Sequence, residues 1–403
     1  MSIPTLDSLG DLSQKRVLLR VDFNVPLDTN GVVMDDTRIK SALSTIECIC
    51  KQNAKLIIMS HLGRPSTLNA SEREKLSLLP VVNHFRTLVE FPVFFVENID
   101  FKSFSEFMEK QTFGTIFFLE NIRFFPEEEE NEISFSKSMA SLADIYVNDA
   151  FGTIHRKHAS VHGVPEQIPT KAMGHLMQKE LKYYDAIVTN PKRPFYAVIG
   201  GSKVSTKIPL IKGLLQKVDK LFISGAMCYT FFRYFGLNTG ASLVEEGQES
   251  TIQEILDLAK QRNVELIYPE DVIVVEDISD YSAMKVVPRI GIPDGWIGVD
   301  HGPMTSLLWE TKLWGAMSIF WNGPMGLFEK PRFAQGTRDL INTLSLLTHH
   351  GVVTIVGGGD SLTALNSLVN EYEISHISTG GGSFLSMIGG ESLPGLEVLK
   401  VKS

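Results

Sequence analysis

The chain has 403 residues, 43% of them hydrophobic and 21% charged, which is the balance of a globular protein too long for a single core; two domains are therefore expected. A net charge of −9 argues against a nucleic-acid partner, and every apolar run falls short of the roughly 20 residues that cross a bilayer, so no membrane partner is expected either. The start of the sequence lacks the basic and apolar regions of a signal peptide, and Cys48, Cys50 and Cys228 have no C-x-x-C spacing, which points to the cytoplasm and to cysteines acting as small buried hydrophobes.

In chain order, Arg16–Phe23, Lys55–Ser60, Val93–Val96, Thr115–Leu119 and Asp144–Val147 read as strands. They are near-continuous apolar runs, as in a parallel sheet covered on both faces. The helical pattern of Ile39–Cys50 falls between two of them and signals a βαβ unit. The Glu127–Glu130 run reads as a solvated loop face. Met177, Leu181, Tyr184 and Val188 mark one face of a connecting helix that stops before Pro191. The rhythm then restarts with Phe195–Ile199, Lys220–Ile223, Val264–Ile267, Ile319–Trp321, Val352–Val356 and a short Ser375–Ser378. The fold class is thus α/β, with two successive halves.

Ligands of open α/β sheets sit beyond the carboxyl ends of the strands. Four strands of the first half end in polar motifs: Asp22 and Asn24 after the first, His61 and Arg64 after the second, Glu120, Asn121 and Arg123 after the fourth, and Asn148, Asp149, His155 and Arg156 after the fifth. Turn chemistry explains Asp and Asn but not arginine, whose planar fork grips phosphate or carboxylate. In the second half, Gly200 and Gly201 precede Lys203 and Lys207. These lysines are spaced to share one side of a helix start whose apolar face carries Ile208, Ile211, Leu215 and Val218. NGPMGLFE ends in Glu329, a carboxylate suited either to a ribose diol or to a solvated loop.

The most informative stretch is Val352–Val369. A β-branched strand runs into Gly357, Gly358 and Gly359, then Asp360 and Ser361 as N-cap residues, then Leu362, Leu365 and Leu368 at helical spacing. That arrangement is either a plain capped turn or an anion site made of free N–H groups and a positive helix end. If it holds polyphosphate, Asp360 implies Mg²⁺, held partly by phosphate oxygens and water.

RVLLRVDFNVP, SHLGRP, LENIRF, DAFGTIHRKHAS, GGSKVSTKI, WNGPMGLFE, GGGDS and STGGG occur in this order along nearly the whole chain, which closely resembles the phosphoglycerate kinase family. The resemblance implies two Rossmann-like domains, each a mostly parallel sheet with helices on both faces, facing each other across a hinged cleft. It places the first domain at 1–178, the second at 179–390, and a tail at 391–403 packing back on the first. Asp22, Phe23, Asn24, Arg38, His61, Leu62, Gly63, Arg64, Arg123 and Arg156 match 3-phosphoglycerate positions. Gly201, Lys207, Asn322, Glu329, Gly357, Gly358, Gly359, Asp360 and Ser361 match nucleotide positions, with Asp360 on the Mg²⁺ side. Arg38, Lys203 and Gly381 match positions around the transferring phosphoryl. Departures from the family pattern are Ser202, Thr206, Ser361 and Ser386, the last standing where glutamate is usual.

The activity implied is reversible phosphoryl transfer between ATP and the carboxylate of 3-phosphoglycerate in glycolysis and gluconeogenesis, with ATP/ADP as substrate, by a cytoplasmic monomer that closes about its hinge. A carboxylate acceptor is already ionised, so His61 and His155 are expected to position rather than carry protons. Two other readings compete. A nicotinamide-dependent dehydrogenase would want G-x-G-x-x-G, and GGGDSL lacks the third glycine. A non-catalytic phosphometabolite sensor would not need an arginine rim and a lysine–glycine site in separate domains.

Overall fold

A strand covered on both faces has no polar side to present, so continuous apolar runs are what a buried parallel sheet selects. The computed structural model describes residues 3–279 and 283–401. Residues 1 and 2 of the first expected domain, 280–282 of the second, and 402 and 403 of the expected tail lie outside it. The chain forms two compact units: one runs to Leu181 and takes in the tail from Ser392, and the other is Lys182–Glu391.

The first unit is built on a six-stranded, wholly parallel sheet of β1 (Arg16–Arg20), β2 (Lys55–Met59), β3 (Val93–Val96), β4 (Ile116–Leu119), β5 (Ile145–Asn148) and β6 (Lys171–Met173). Their spatial order is β3-β4-β2-β1-β5-β6. Alternate residues serve opposite faces. Ile116 and Phe118 join Ile39, Ala42, Ile46 and Ile49 of the helix Thr37–Lys51, and Val81, Val82 and Phe85 of the helix Leu79–Arg86. Phe117 turns the other way, onto Phe104 and Phe107 of the helix Phe101–Glu109. The 3- and 4-residue spacing of Ile39, Ala42, Ile46 and Ile49 puts them on one helix face, and full burial of each isoleucine contributes roughly 1.5–3 kcal/mol. A charge at Ile46 would break that contact. In the tail, Leu393 and Leu399 are buried and Gly395 N–H donates to the Ile154 carbonyl at 3.0 Å.

The second unit has its own parallel sheet, of β7 (Phe195–Ile199), β8 (Lys220–Ile223), β9 (Glu265–Ile267), β13 (Ser318–Asn322), β14 (Val353–Gly357) and β15 (His376–Ile377), in the order β15-β14-β13-β7-β8-β9. An unforeseen antiparallel sheet stands beside it: β10 (Asp271–Val275), β11 (Met284–Pro288) and β12 (Ile297–His301), with β10 central. β11 is a largely exposed edge ending in Pro288, so it lacks the apolar run that marks the other strands.

The helix His175–Val188 contains the division between the units, at Leu181 rather than at 178. The helix after Lys207 spans Ile208–Leu215, so Val218 lies beyond its end while still buried. The acidic run corrects a further expectation. Pro126–Glu129 forms one helical turn, and Glu128 is wholly buried, accepting from Ser160 N–H at 2.7 Å and Ser160 Oγ at 2.6 Å. Among the described residues, no helix is long and apolar enough to cross a membrane.

Candidate active site

In the first unit, the four strands whose ends carry the polar motifs are neighbours: β4-β2-β1-β5. The strands without such a motif, β3 and β6, are the two edges. The register therefore gathers the motifs on one rim. Arg38 lies in the first turn of the helix Thr37–Lys51, and its Nη1 donates to Asp22 Oδ2 at 2.8 Å. Asn24 Oδ1 accepts from Gly63 N–H at 2.9 Å, and Arg123 Nη1 donates to the Gly63 carbonyl at 2.7 Å. Arg123 Nε is buried without a hydrogen-bond partner, and Asp22 Oδ1 likewise. Arg156 Nε reaches His155 Nε2 at 3.2 Å, while Arg64 is exposed.

A residue outside the predicted set organises this rim. Arg20, at the end of β1, is fully buried; its Nε donates to Ser160 Oγ at 2.9 Å, Nη1 donates to the Val21 carbonyl, and Nη2 lies 3.3 Å from His61 Nδ1. The guanidinium can only donate, so His61 Nδ1 accepts and its proton rests on Nε2. Burial, then the charges of Arg20, Arg123, Arg38 and Arg156, hold the His61 pKa well below its ordinary value, so His61 is neutral. Burial and the neighbouring Arg20 and Arg156 also lower the Arg123 pKa, to about 10. Cations this crowded and partly desolvated are costly unless an anion joins them. Asp22, Glu128 and Glu129 offset part of this charge, and a further anion would offset more.

Other predicted positions play structural parts. Phe23 is a core side chain packed on Phe85 and Phe118, and Leu62 is buried in the same core, so only their backbones can face a ligand. Gly63 supplies a turn with φ +62 whose N–H and carbonyl are both engaged as above. Glu120 accepts from Leu78 N–H and Ser77 Oγ. Asp149 is buried and accepts from Met177 N–H at 3.0 Å, at the start of the connecting helix, and burial raises its pKa to about 6.

In the second unit, the motif-bearing strands again adjoin, as β15-β14-β13-β7. Gly358 has φ +100 and is the N-cap of the helix Gly359–Leu368, so Asp360 sits inside the first turn, exposed, rather than capping it. Ser361 is buried: its Oγ accepts from Gly323 N–H at 2.7 Å and donates to the Gly357 carbonyl at 3.1 Å. Asn322 Nδ2 donates to the same carbonyl at 2.6 Å, and its Oδ1 accepts from Lys207 Nζ. A side chain on Gly358 would collide with Asn322 Nδ2, whereas the space over Gly359 is open. Gly381 begins a second helix, Gly381–Ile388, and a Cβ there would lie 4.0 Å from Gly358 Cα and Gly359 N. Two helix N-termini thus converge on one open spot, where free N–H groups favour an anion.

Lys207 is half-buried, and burial lowers its pKa against the opposing pull of Asp360. Lys203 departs from the expected pairing. It is exposed, outside the helix, and its charge acts on Glu245. Gly201, with φ +122, brings the backbone past Lys207. Glu329 is exposed at the mouth of a cavity of about 380 Å³ that also takes in Gly201 and Asp360. Leu243, Ile278, Ile297, Val299, Met325 and Leu327 give that cavity an apolar wall. None of these was legible as a site residue, because an apolar wall residue and a core residue look alike in sequence. Of the departures, Ser202 is exposed at the cavity, Thr206 Oγ1 donates to the Lys203 carbonyl at 2.9 Å, and Ser386 is half-buried within the second helix.

Residues 6–391 match the family model described as phosphoglycerate kinase. The chain is 45% identical over 401 residues to the phosphoglycerate kinase of Synechococcus elongatus, covering 99% of both chains. It is 44% identical over 390 residues to the chloroplastic phosphoglycerate kinase 1 of Arabidopsis thaliana, covering 97% of this chain and 80% of the relative. Its fold is similar to that of phosphoglycerate kinase from Coxiella burnetii, with a TM-score of 0.86 at 36% identity over 99% of each chain.

Proposed function

The chain belongs to the phosphoglycerate kinase family, and from that premise we propose that it transfers a phosphoryl group reversibly between ATP and the carboxylate of 3-phosphoglycerate, giving ADP and 1,3-bisphosphoglycerate. The observation that carries this reading is the division of labour: a crowded, partly desolvated arginine rim in one unit, and an open glycine turn beside a nucleotide-sized cavity in the other.

In this reading Arg38, Arg64, Arg123 and Arg156 hold the anionic acceptor, with Asp22, Asn24 and His61 orienting them. Neutral His61 offers its Nε2 proton as a hydrogen-bond donor, and Arg20 keeps it in that tautomer. The acceptor carboxylate is ionised at neutral pH and needs no general base. The apolar wall of the cavity takes the base, Glu329 accepts from the ribose diol, and the N–H groups of Gly359 and Gly381 with Lys207 meet the phosphates. Lys203 and Arg38 neutralise the charge that spreads over the moving phosphoryl.

The site fits Mg²⁺. Asp360 is an exposed carboxylate at the cavity and belongs to no group of three metal-ligating side chains among the described residues, which suits an ion that keeps water and phosphate ligands. Asp360 would hold it, and the ion would offset phosphate charge.

Direct transfer needs the reacting atoms about 3–3.5 Å apart, so the two ligands together should bring the units to a closed state that also excludes water. Residues 177–190 are the hinge candidates. Scattering should give a smaller radius of gyration with both ligands than with either alone; the same radius in all states would refute closure. In this reading the enzyme works in the cytoplasm, as a monomer, on small molecules. The activity itself is tested by ADP formation from ATP and Mg²⁺ with and without 3-phosphoglycerate: formation should require the acceptor, and ligand binding without turnover would favour the sensor reading.

A further inference from the structure

Away from both sites, three side chains of different chemistry meet. Asp7 comes from the turn Leu6–Leu9, Cys48 from the helix Thr37–Lys51, and His175 from the first residue of the helix His175–Val188. A carboxylate oxygen, a sulfur and an imidazole nitrogen all lie within 4.8 Å of one another. We propose that Asp7, Cys48 and His175 form a binding site for a borderline-soft divalent cation of the Zn²⁺ type, distinct from any nucleotide-bound Mg²⁺.

The donor set decides the class of ion. Hard cations such as Mg²⁺ and Ca²⁺ take oxygen ligands, whereas one sulfur, one nitrogen and one oxygen suit Zn²⁺. Tetrahedral bonds of about 2.0–2.3 Å put ligand atoms roughly 3.3–3.8 Å apart, so the observed spacing needs to close by only about 1 Å. His175 Nε2 already lies 3.1 Å from Asp7 Oδ1. Asp7 is exposed and the other two are half-buried, so rotamer changes can supply the rest.

The surroundings support ligands rather than bystanders. Gln52 Nε2 donates towards Cys48 Sγ from 3.8 Å, a contact that orients the sulfur. Gln52 is itself anchored, its Oε1 accepting from Leu12 N–H at 3.2 Å. His175 N–H donates to Thr45 Oγ1 at 2.9 Å, which fixes the start of its helix against the one that carries Cys48. Such outer contacts orient metal ligands. Cys50 and Cys228 are buried, leaving Cys48 as the described cysteine that an ion from solution can reach. Three protein ligands leave a fourth position for water, which makes the site exchangeable, and binding releases the thiol proton to solvent. An ion here would tie together segments distant in sequence, so it should raise the melting temperature.

The test is a Co²⁺ titration of chelator-treated protein. The site predicts a sulfur-to-cobalt charge-transfer band that saturates at one ion per chain and disappears on adding Zn²⁺. The band should vanish in Cys48→Ser and need at least tenfold more Co²⁺ in His175→Gln and in Asp7→Asn. Zn²⁺ should raise the melting temperature of the unmodified protein but not of Cys48→Ser. If Cys48→Ser fails to fold, the other two variants still decide the matter. No band in the unmodified protein, or a band at unchanged affinity in both of those variants, would overturn the proposal.

Discussion

Gly358 and Gly359 are neighbours with opposite predicted responses to a single methyl group. At Gly358 the backbone has φ +100, and an added Cβ would run into Asn322 Nδ2. A forced left-handed conformation costs about 1–3 kcal/mol. Displacing Asn322 also threatens its bonds to the Gly357 carbonyl and Lys207, each worth roughly 0.5–1.5 kcal/mol. Gly358→Ala should therefore destabilise the protein by about 2–6 kcal/mol. At Gly359 nothing lies within 4 Å of the new Cβ, and the position is the first of a helix, where alanine outranks glycine by up to about 1 kcal/mol. Gly359→Ala should leave stability unchanged or slightly raised. Yet its methyl would occupy the space assigned to the phosphates, so ADP affinity should fall at least tenfold. Urea unfolding and an ADP titration on both variants measure the two quantities. A Gly359→Ala protein that binds ADP normally would refute the assignment of the open turn to a ligand.

Three further outcomes follow from particular side chains. Arg38 is about one-third exposed and its pairing with Asp22 is worth about 1 kcal/mol at most, so Arg38→Ala should melt nearly normally while turnover falls on the order of 10³-fold; near-normal kcat would contradict the placement. Glu128→Ala removes the buried carboxylate nearest Arg20 and strips Ser160 of its acceptor, and should cost about 3–5 kcal/mol in chemical unfolding, where a loss under about 1 kcal/mol would show that the pair does not support the rim. Burial lowers the His301 pKa to about 4, so the folded state prefers it neutral; its contribution is present above the unfolded value near 6.5 and is lost as pH falls from there towards 4. Burial raises the neighbouring Asp300 pKa to about 8, with the opposite sign, so the readout is the difference between unmodified protein and His301→Asn, which should shrink across that window; a flat difference would contradict a buried neutral imidazole.

Much of this architecture was legible because the signals were local and physical. Val352–Val356 followed by three glycines announced a strand and a sharp turn; the strand is shifted by one residue, and the helix starts two to three residues earlier than its expected caps. The arginines stood out because arginine is not a turn residue, and the sheet order explains how the four polar strand ends come to adjoin. Arg20 was hidden inside an apolar strand, although a charge in such a run is itself a signal that a buried partner must exist. Glu128 could not be told from its acidic neighbours, since only the position of Ser160 selects it. Lys203 and Lys207 share a spacing but not a fate, because Lys207 finds Asn322, more than a hundred residues away.

The central claim is direct transfer between ligands held by different units, and single-turnover chemistry tests it most directly. ATP labelled in the γ-phosphate, mixed with excess enzyme, Mg²⁺ and 3-phosphoglycerate, should pass its label straight to the organic bisphosphate, with little in inorganic phosphate and none on the protein. Label reaching inorganic phosphate at the same rate whether or not 3-phosphoglycerate is present would contradict the account.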